Sequence, residues 1–279
     1  ATRAVSRSPA PDAAPIDAAL ELLACPVCGL PLGRHDRTLR CASGHSHDLA
    51  RQGYVNLLHG AAPANADTTE MVAARQRFLD TGAYQPIRDA VVGACCAATR
   101  VAEVGAGTGY YLSAVVAEQR PPAHLALDVS VAAVRRSSRL GLASAVADTW
   151  AGLPVLSGRL DRVLCIFAPR NPAEFARVLS QGGRVVVVTP RPGHLAELRA
   201  RLHLLDVPPD KLARLDASFA DVGLVPVGRT EIDFGLEMSP PTAADLVAMG
   251  PNAFHGEHAV LDEAVAVQVS VTVSSYQHL

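Results

Sequence analysis

The sequence predicts an α/β fold, in which a doubly wound and mostly parallel sheet follows a small N-terminal module held together by a metal ion. Three observations support this fold class. From residue 100 onward, short runs rich in β-branched residues alternate with helical stretches, which is typical of parallel strands joined by crossover helices. The first of these strands ends in a loop with glycine at alternate positions. Three closely spaced cysteines precede residue 45, in a segment too small to form a stable core alone.

Composition places the chain among globular proteins and limits its partners. It has 279 residues, of which 49% are hydrophobic and 19% are charged. No run of about 18 apolar residues is present, so we expect no membrane-spanning helix. No secretory leader is visible and the cysteines suit a reducing compartment, so we expect a cytoplasmic protein. The net charge of −2 excludes a generally basic surface, and nucleic-acid binding would need a local basic patch.

Changes in composition divide the chain into four predicted regions. Residues 1–21 are rich in alanine and proline and are expected to form a disordered tail. Residues 22–60 form the metal-binding module, and residues 61–98 form a helical linker region. The α/β domain is predicted over residues 99–279.

Local patterns predict the individual elements. Asp67 followed by Glu70 indicates the start of a helix over 67–81 that ends at Gly82, and a second helix is predicted over 86–98. The parallel strands are predicted over 100–104, 124–128, 143–147, 161–166 and 184–189. Helices are predicted over 109–118, 130–139 and 171–180, the last with the N-cap and proline start of Asn171 and Pro172. Two valine-rich alternating segments, 222–235 and 264–275, predict an antiparallel pair at one sheet edge.

Three cysteines and a histidine form a metal-binding pattern. Cys25 and Cys28 are followed, twelve residues later, by Cys41 and then by His45, which gives the spacing C-x2-C-x12-C-x3-H. Two pairs of ligands on two tight turns complete the tetrahedron that Zn²⁺ prefers, and the metal supplies folding free energy. His47 is an alternative fourth ligand. Because all four positions would be filled by protein, we interpret the zinc as structural.

The remaining cysteines and the arginines of the module do not indicate one particular function. Cys95, Cys96 and Cys165 lie in apolar runs and are predicted to be buried thiols. The module carries a modest excess of arginine, which either contacts a nucleic-acid backbone or forms an ordinary solvated face. These arginines are Arg34, Arg37, Arg40 and Arg51.

A glycine-rich loop follows the first predicted strand of the sheet. Glu103 is followed by Gly105, Gly107 and Gly109, and these glycines allow a sharp turn and a close approach of the backbone to a ligand. Tyr110 stands where a dinucleotide-binding loop has its third glycine, so the pattern disfavours NAD. No Gly-Lys-Ser/Thr sequence follows, which excludes a phosphate-binding loop of the NTPase type.

Two aspartates accompany this loop at the ends of the next strands. Asp128 follows Gly109 at the spacing of an acid that accepts hydrogen bonds from ribose hydroxyls, and Asp148 is placed to accept from an adenine amino group. The arrangement resembles class I S-adenosylmethionine-dependent methyltransferases. The predicted cofactor-binding residues are Glu103, Gly105, Gly107, Gly109, Tyr110, Asp128 and Asp148.

The two modules in this order resemble one family over roughly residues 22–279. The segments CPVCGLPL, GYVNLL, DTTEMVAARQRFLDTGAYQPIRDAV, CIFAPRNPAE and VVVVTPRPGHLAEL are similar to those of the RlmA-type 23S rRNA (guanine-N1)-methyltransferases, including their tylosin-resistance branch, TlrB. The chain departs from the family in reading GAGTG where GCGEG is common, and in having a longer N-terminal tail. Asp148 replaces a serine seen in some members.

This resemblance implies a reaction and its partners. The implied activity is methyl transfer from S-adenosylmethionine to N1 of one guanosine in the domain II hairpin of 23S rRNA. The similarity of AVADTW, FAPRNP and VAMGP to the tylosin-resistance branch favours nucleotide 748 over 745, with resistance to tylosin- and mycinamicin-type macrolides. The family also implies a homodimer whose zinc modules help to grip the RNA.

The acceptor site is less well defined by the sequence. The loop after the fourth parallel strand contains Phe167 and Pro169, which we expect near the substrate, Phe167 stacking on the guanine or belonging to the core. Tyr54 and Tyr84 either stack on unpaired nucleotides or pack between modules. His194 lies near the substrate or is solvated. No general base is assigned.

Two other functions remain open at this point. A small-molecule methyltransferase with an accessory zinc module is compatible with the near-neutral charge, and an apolar lid over the sheet would favour it. The second is a non-catalytic binding protein stabilised by zinc. The complete set of loop glycines together with Asp128 argues against it, because such a protein would not need them. An arginine-lined cleft from the zinc module to the cofactor would favour the RNA enzyme.

Overall fold

A computed structural model of the chain describes residues 14–58, 60, 63, 66–250 and 261–279. Within these residues the strands form two sheets, an antiparallel sheet of three strands and a mixed sheet of eight strands. No helix in the described ranges is long and apolar enough to cross a membrane. The predicted α/β class with a small N-terminal module is confirmed.

The first described residues form a buried helix and not a tail. Pro15–Ala19 is a 3-10 helix in which Ile16 and Ala19 are fully buried, and Leu22 and Leu23 after it are equally inaccessible. These side chains pack on the large sheet, so the tail predicted over 1–21 is wrong from residue 15 onward. The prediction relied on the alanine- and proline-rich composition and did not take into account that these apolar residues recur at helical spacing. Residues 1–13 of the predicted tail lie outside the described part of the chain.

The metal-binding module is a three-stranded meander. Its strands are β1 (Gly33–His35), β2 (Thr38–Arg40) and β3 (Ser46–Asp48), joined in antiparallel register. Leu39 in the central strand is fully buried. The next strand, β4 (Val55–Asn56), leaves the meander and pairs in parallel with the edge of the large sheet. The predicted module boundary at residue 60 therefore includes one strand of the large sheet.

Two helices connect the module to the sheet. Helix α1 covers Thr69–Asp80, and its N-cap is Thr68, whose hydroxyl accepts a hydrogen bond from Met71 N–H. The predicted cap, Asp67, instead forms an ion pair with Arg75. Gly82 follows the helix in the left-handed conformation (φ +76°), as expected for a helix stop. Helix α2 covers Gln85–Ala94.

The large sheet follows the predicted alternation of strands and helices. Its six parallel strands are β4 to β9, and helices α3 to α5 lie in the connections between β5 and β9. The bounds are β5 (Arg100–Val104), α3 (Tyr110–Gln119), β6 (Ala123–Asp128), α4 (Val131–Arg139), β7 (Ser144–Val146), β8 (Leu160–Ile166), α5 (Pro172–Val178) and β9 (Leu179–Pro190). The spatial order of these strands is β9-β8-β5-β6-β7-β4, so the direction of winding reverses between β5 and β8. Open α/β sheets bind their ligands at this point.

An antiparallel hairpin closes the other edge of the sheet. Strands β10 (Leu224–Met238) and β11 (Val265–His278) pair with each other, and β11 pairs with β9, which confirms the predicted antiparallel edge. Three further helices in the described part of the chain were not predicted from local patterns. They are α6 (Ala196–Leu202), α7 (Lys211–Ala220) and α8 (Pro240–Ala248).

The sheet has a buried apolar layer on each face. In β9, Val185, Val186, Val187 and Val188 are all fully buried and point alternately into the two layers. Cys95 and Cys165 are buried thiols as predicted, whereas Cys96 is exposed, because it lies in the turn after α2. The prediction that all three are buried is therefore wrong for Cys96.

The burial of the first helix can be tested by truncating Ile16. Ile16→Ala should lower the free energy of unfolding by about 2–4 kcal/mol, because it removes a fully buried side chain. Leu20→Ala, at a partly exposed position of the same segment, is the control and should cost less. Denaturant unfolding measures both. An effect of Ile16→Ala below about 0.5 kcal/mol would mean that the segment behaves as a tail.

Candidate cofactor site, acceptor site and metal centre

The glycine loop after β5 is packed from two sides. Gly105 and Gly107 both have left-handed backbone (φ +71° and +54°). A Cβ on Gly105 would lie 2.4 Å from Cβ of Ala168, and a Cβ on Gly107 would lie 3.2 Å from Nη1 of Arg75. Gly109 is the N-cap of α3. The loop therefore combines unusual backbone conformation with close neighbours that leave little space for side chains.

Asp128 braces this loop from the end of β6. Its two carboxylate oxygens accept hydrogen bonds of 2.8 Å from the N–H groups of Gly107 and Ser130. Burial raises the pKa of Asp128, and these two backbone donors oppose that rise. The structure thus places Asp128 beside the glycines, as the sequence predicted, and a carboxylate retains further lone pairs for hydroxyl donors.

Glu103 lies under the loop and is almost completely buried (1% exposed). Its Oε2 accepts a 3.0 Å hydrogen bond from Leu112 N–H in the first turn of α3. Burial raises the pKa of Glu103 to about 8. The carboxyl group therefore ties β5 to the helix that follows the loop.

Tyr110 and Tyr111 begin α3 and differ in their surroundings. Tyr111 is 7% exposed and belongs to the core, whereas Tyr110 is about half-buried. The two rings pack edge to face with centroids 5.0 Å apart, and the Arg88 guanidinium lies 5.6 Å from the centre of the Tyr110 ring. Of the two, Tyr110 has the ring surface that a ligand can reach.

The third predicted acid, Asp148, lies beyond β7 at the same edge of the sheet. Its Oδ1 accepts a 2.9 Å hydrogen bond from Trp150 N–H. Asp148 lines a cleft of about 340 Å³ that the metal-binding module closes on its other side through Cys25, Pro26 and Gly29. The metal knuckle and one predicted cofactor residue therefore face a common space, although the glycine loop does not line it.

The four predicted metal ligands converge. Their ligand atoms all lie within 4.8 Å of one another, with Sγ of Cys28 3.6 Å from Sγ of Cys41, and Nδ1 of His45 3.4 Å from Sγ of Cys41. Ligands about 2.3 Å from a tetrahedral Zn²⁺ are separated by about 3.8 Å, so these spacings fit zinc. His47 reaches Cys25 alone (3.8 Å), and His45 completes the set. Three thiols and an imidazole with no open position are typical of a structural zinc site.

Three aromatic side chains meet at the end of β8, in the loop predicted to border the acceptor. Phe167 is 40% exposed and has left-handed backbone (φ +53°). Its ring lies 6.1 Å from the ring of His194, at an angle of 24°, and 5.9 Å from that of Tyr84. Tyr84 and His194 are buried behind it. We refer to these three residues as the aromatic cluster.

The same loop is anchored from below. The thiol of Cys165 donates to the carbonyl oxygens of Ala168 and Pro169 at 3.5 and 3.4 Å. Ala168 also packs against Gly105. The buried thiol and the glycine together hold Phe167 at the mouth of the site, in a backbone conformation that non-glycine residues rarely adopt.

The two buried members of the aromatic cluster are neutral. Ser270 N–H donates to Nδ1 of His194 (3.2 Å), so Nε2 carries the proton and faces the Tyr84 hydroxyl at 3.5 Å. Burial lowers the pKa of His194 to about 4 and raises that of Tyr84 well above its usual value. Neither group is charged near neutral pH, and neither is suited to act as a general base there.

Positive charge lies beside the aromatic cluster. Arg170 is partly buried and follows Phe167 on the same loop. Burial lowers the pKa of Lys211, and the nearby cations of Arg170 and Arg214 lower it further. Lys211 is the only lysine in the sequence.

Two residues named from the sequence as RNA-contact candidates have partners within the protein. Arg34 of the metal-binding module pairs with Asp17. Tyr54 is buried against the apolar residues around α4, which confirms packing as its role.

Trp150 was not singled out from the sequence. It is 66% exposed, and Asp148 and Ala151 on either side of it in the chain line the cleft. A tryptophan shortly after a strand does not by itself indicate that the side chain is exposed, so the sequence offers no signal for this residue.

These features define a class of protein: a class I methyltransferase domain that carries an N-terminal zinc ribbon. Residues 23–62 match the family model for the zinc ribbon described as RlmA, N-terminal. A chain from the complex of the Haloferax volcanii Trm112 methyltransferase activator with a methyltransferase has a TM-score of 0.53 at 17% identity, covering 77% of this chain and 100% of that one. A SAM-dependent methyltransferase from Thermotoga maritima has a TM-score of 0.50 at 15% identity, covering 75% and 97%. These solved structures share the fold.

Sequence relatives narrow the class to a family. The 23S rRNA (guanine(748)-N(1))-methyltransferase of Streptomyces fradiae is 42% identical over 88% of this chain and 90% of its own length. A relative from Micromonospora griseorubida, named provisionally for 23S rRNA (guanine-N(1)-)-methyltransferase activity, is 41% identical over 91% of this chain and 97% of its own. The chain belongs to the 23S rRNA (guanine-N1)-methyltransferase family, which confirms the resemblance seen in the sequence.

The buried carboxyl of Glu103 makes stability depend on pH. The pKa of Glu103 is about 8 in the folded protein and about 4.3 in an unfolded chain. The neutral carboxyl group therefore makes its full contribution to the free energy of unfolding below about pH 4, and this contribution is lost as the pH rises to about 8. Glu103→Gln, which can still accept from Leu112, should gain stability relative to the wild type over this range.

Calorimetric melting temperatures from about pH 5 to pH 9, measured without added cofactor, check this expectation. Glu21→Gln, at an exposed position, is the matched control and should follow the wild-type curve. A constant difference between Glu103→Gln and wild type at every pH would contradict the expectation.

Proposed function

We propose that this protein transfers a methyl group from S-adenosylmethionine to N1 of a guanosine in the domain II hairpin of 23S rRNA. The observation that carries the proposal is the packing of the glycine loop against the loop of Phe167 at the switch point of the sheet. This brings a nucleoside-binding loop and an exposed aromatic ring together. The family supplies the acceptor class, and the Streptomyces fradiae relative favours nucleotide 748 over 745.

The residues at the loop suit an adenosine cofactor. We assign the ribose hydroxyls to Asp128, whose carboxylate already holds Gly107 in place, and the adenine amino group to Asp148. The other proposed contacts come from Glu103, Gly105, Gly107, Gly109 and Tyr110. S-adenosylmethionine, when bound, supplies a methyl group on a sulfonium leaving group, so the protein mainly has to align the acceptor with it.

The aromatic cluster suits an unpaired guanine. Phe167 offers one exposed face for stacking, and the neutral Tyr84 and His194 support it from behind. Pro169 borders the same space on the loop held by Cys165. Because guanine N1 is paired within an RNA helix, the base has to be presented unpaired. Its N1 proton goes to an acceptor other than these two neutral side chains.

The remaining RNA contacts are assigned to the zinc ribbon and to the basic residues. Cys25, Cys28, Cys41 and His45 hold the zinc that shapes the ribbon side of the cleft. Trp150 is exposed, next in the chain to residues that line that cleft, and we assign it as a stacking surface for a second base. Arg170 and Lys211 are placed to neutralise phosphates next to the target base.

Two further expectations belong to this proposal. We infer a homodimer in which the ribbons of both subunits grip one RNA hairpin. We also infer that methylation protects ribosomes against tylosin- and mycinamicin-type macrolides, because the added methyl group would hinder the binding of the drug.

Mapping of N1-methylguanosine tests the proposed function. The modification blocks Watson–Crick pairing, so primer extension on 23S rRNA should stop next to nucleotide 748 in cells that express the protein and read through in cells that lack it. Stops at 745 would move the assignment to the neighbouring position. Identical read-through in both strains, with methyl transfer to a small molecule by the purified protein, would favour the rival enzyme class.

Removal of the Phe167 ring tests the acceptor site. Phe167→Ala should lower kcat/KM for RNA by about 5- to 150-fold, corresponding to the about 1–3 kcal/mol of one stacked base, with unchanged affinity for S-adenosylmethionine. Phe167→Tyr should retain most of the activity. Phe234→Ala, on strand β10 at the edge of the sheet, is the control. Equal losses in cofactor binding and RNA methylation would show that the ring only supports the loop.

A further inference from the structure

We propose that Arg75 binds the carboxylate of the methionine half of S-adenosylmethionine, so that helix α1 contributes to the cofactor site. The inference rests on the proposed use of this cofactor. It assigns a role to a residue that neither the glycine motif nor the strand-end acids include.

The guanidinium of Arg75 lies directly on the glycine loop. Its Nη1 is 3.2 Å from the position that a Cβ on Gly107 would occupy, and its Cδ is 3.4 Å from that position. Gly107 N–H is in turn bonded to Asp128. The loop is therefore enclosed between the end of β6 and a cation delivered by α1.

Two contacts fix the guanidinium at this place. Nη1 pairs with Asp67, and Nη2 donates a 2.7 Å hydrogen bond to the carbonyl oxygen of Met249. Its side chain is 23% exposed. A guanidinium has five N–H donors, so these two contacts leave donors for an anion, and the remaining exposed surface gives an anion access.

The charge balance of the loop calls for such a cation. Asp67 and Asp128 place two carboxylates beside the loop, and a cofactor carboxylate brought there would be repelled. Burial raises the pKa of Asp128 and of Tyr111, and the Arg75 cation opposes the rise in both. The N-terminus of α3 adds partial positive charge at Gly109. Arg75 and this helix end together offer an anion site at the loop.

Arg77 on the same helix provides a matched contrast. Its guanidinium pairs with Asp245, whereas the guanidinium of Arg75 lies on the glycine loop, and the Arg77 side chain is 61% exposed. Substitution of Arg77 therefore changes the charge of α1 by the same amount without touching the loop.

The test compares two ligands that differ only in the carboxylate. Isothermal titration calorimetry measures the affinity of the full-length protein for S-adenosylmethionine and for decarboxylated S-adenosylmethionine. The wild type should bind the first about 10- to 100-fold more tightly, in line with charge-assisted hydrogen bonds to one carboxylate. R75Q should lose this preference by weakening the first ligand alone. R77Q should behave as the wild type, and R75K should retain part of the preference.

Each outcome separates the inference from the proposed function. Equal weakening of both ligands by R75Q, or no preference in the wild type, would overturn the role of Arg75 while leaving the cofactor assignment intact. Failure of the wild type to bind either ligand would refute the cofactor assignment itself. Melting temperatures report whether R75Q folds. If it does not fold, the test uses the preference of the wild type for the first ligand and the reduction of that preference in R75K.

Discussion

The site depends on the contact between two loops at the carboxyl edge of the sheet. Strands β5 and β8 are parallel neighbours, so the loops that follow them leave the same edge side by side. Gly105 and Ala168 meet there so closely that a side chain on Gly105 would displace the second loop. The thiol of Cys165 holds that second loop from below. The position of Phe167 is consequently coupled to the conformation of the loop assigned to the cofactor.

Much of the fold could be predicted because it is determined by local patterns of apolar residues. Strand β5 was predicted with its observed bounds, and the cap of α5 at Asn171 was found from its own sequence. The errors arose where a distant contact competes with a local one. Asp67 is a good N-cap residue, but its carboxylate pairs with Arg75, and Thr68 caps the helix in its place. Ile16 was assigned to a tail because its partners belong to the large sheet.

The two sites differ in how much of them the sequence reveals. The zinc ligands come from a short segment with fixed spacing, and the structure assembles all four. The aromatic cluster combines Tyr84, Phe167 and His194 from three separate parts of the chain, and no spacing rule connects them. Their neutral state depends on a contact from a further strand, the bond from Ser270 N–H. Such a site becomes visible only when the topology is known.

Strand β4 gives the zinc ribbon a permanent place in the catalytic domain. The chain that leaves the ribbon becomes the outermost parallel strand of the large sheet, next to β7. Cutting the protein between the two modules would thus remove a strand from one of them. The ribbon is therefore not an independent unit, because its last strand completes the sheet of the catalytic domain.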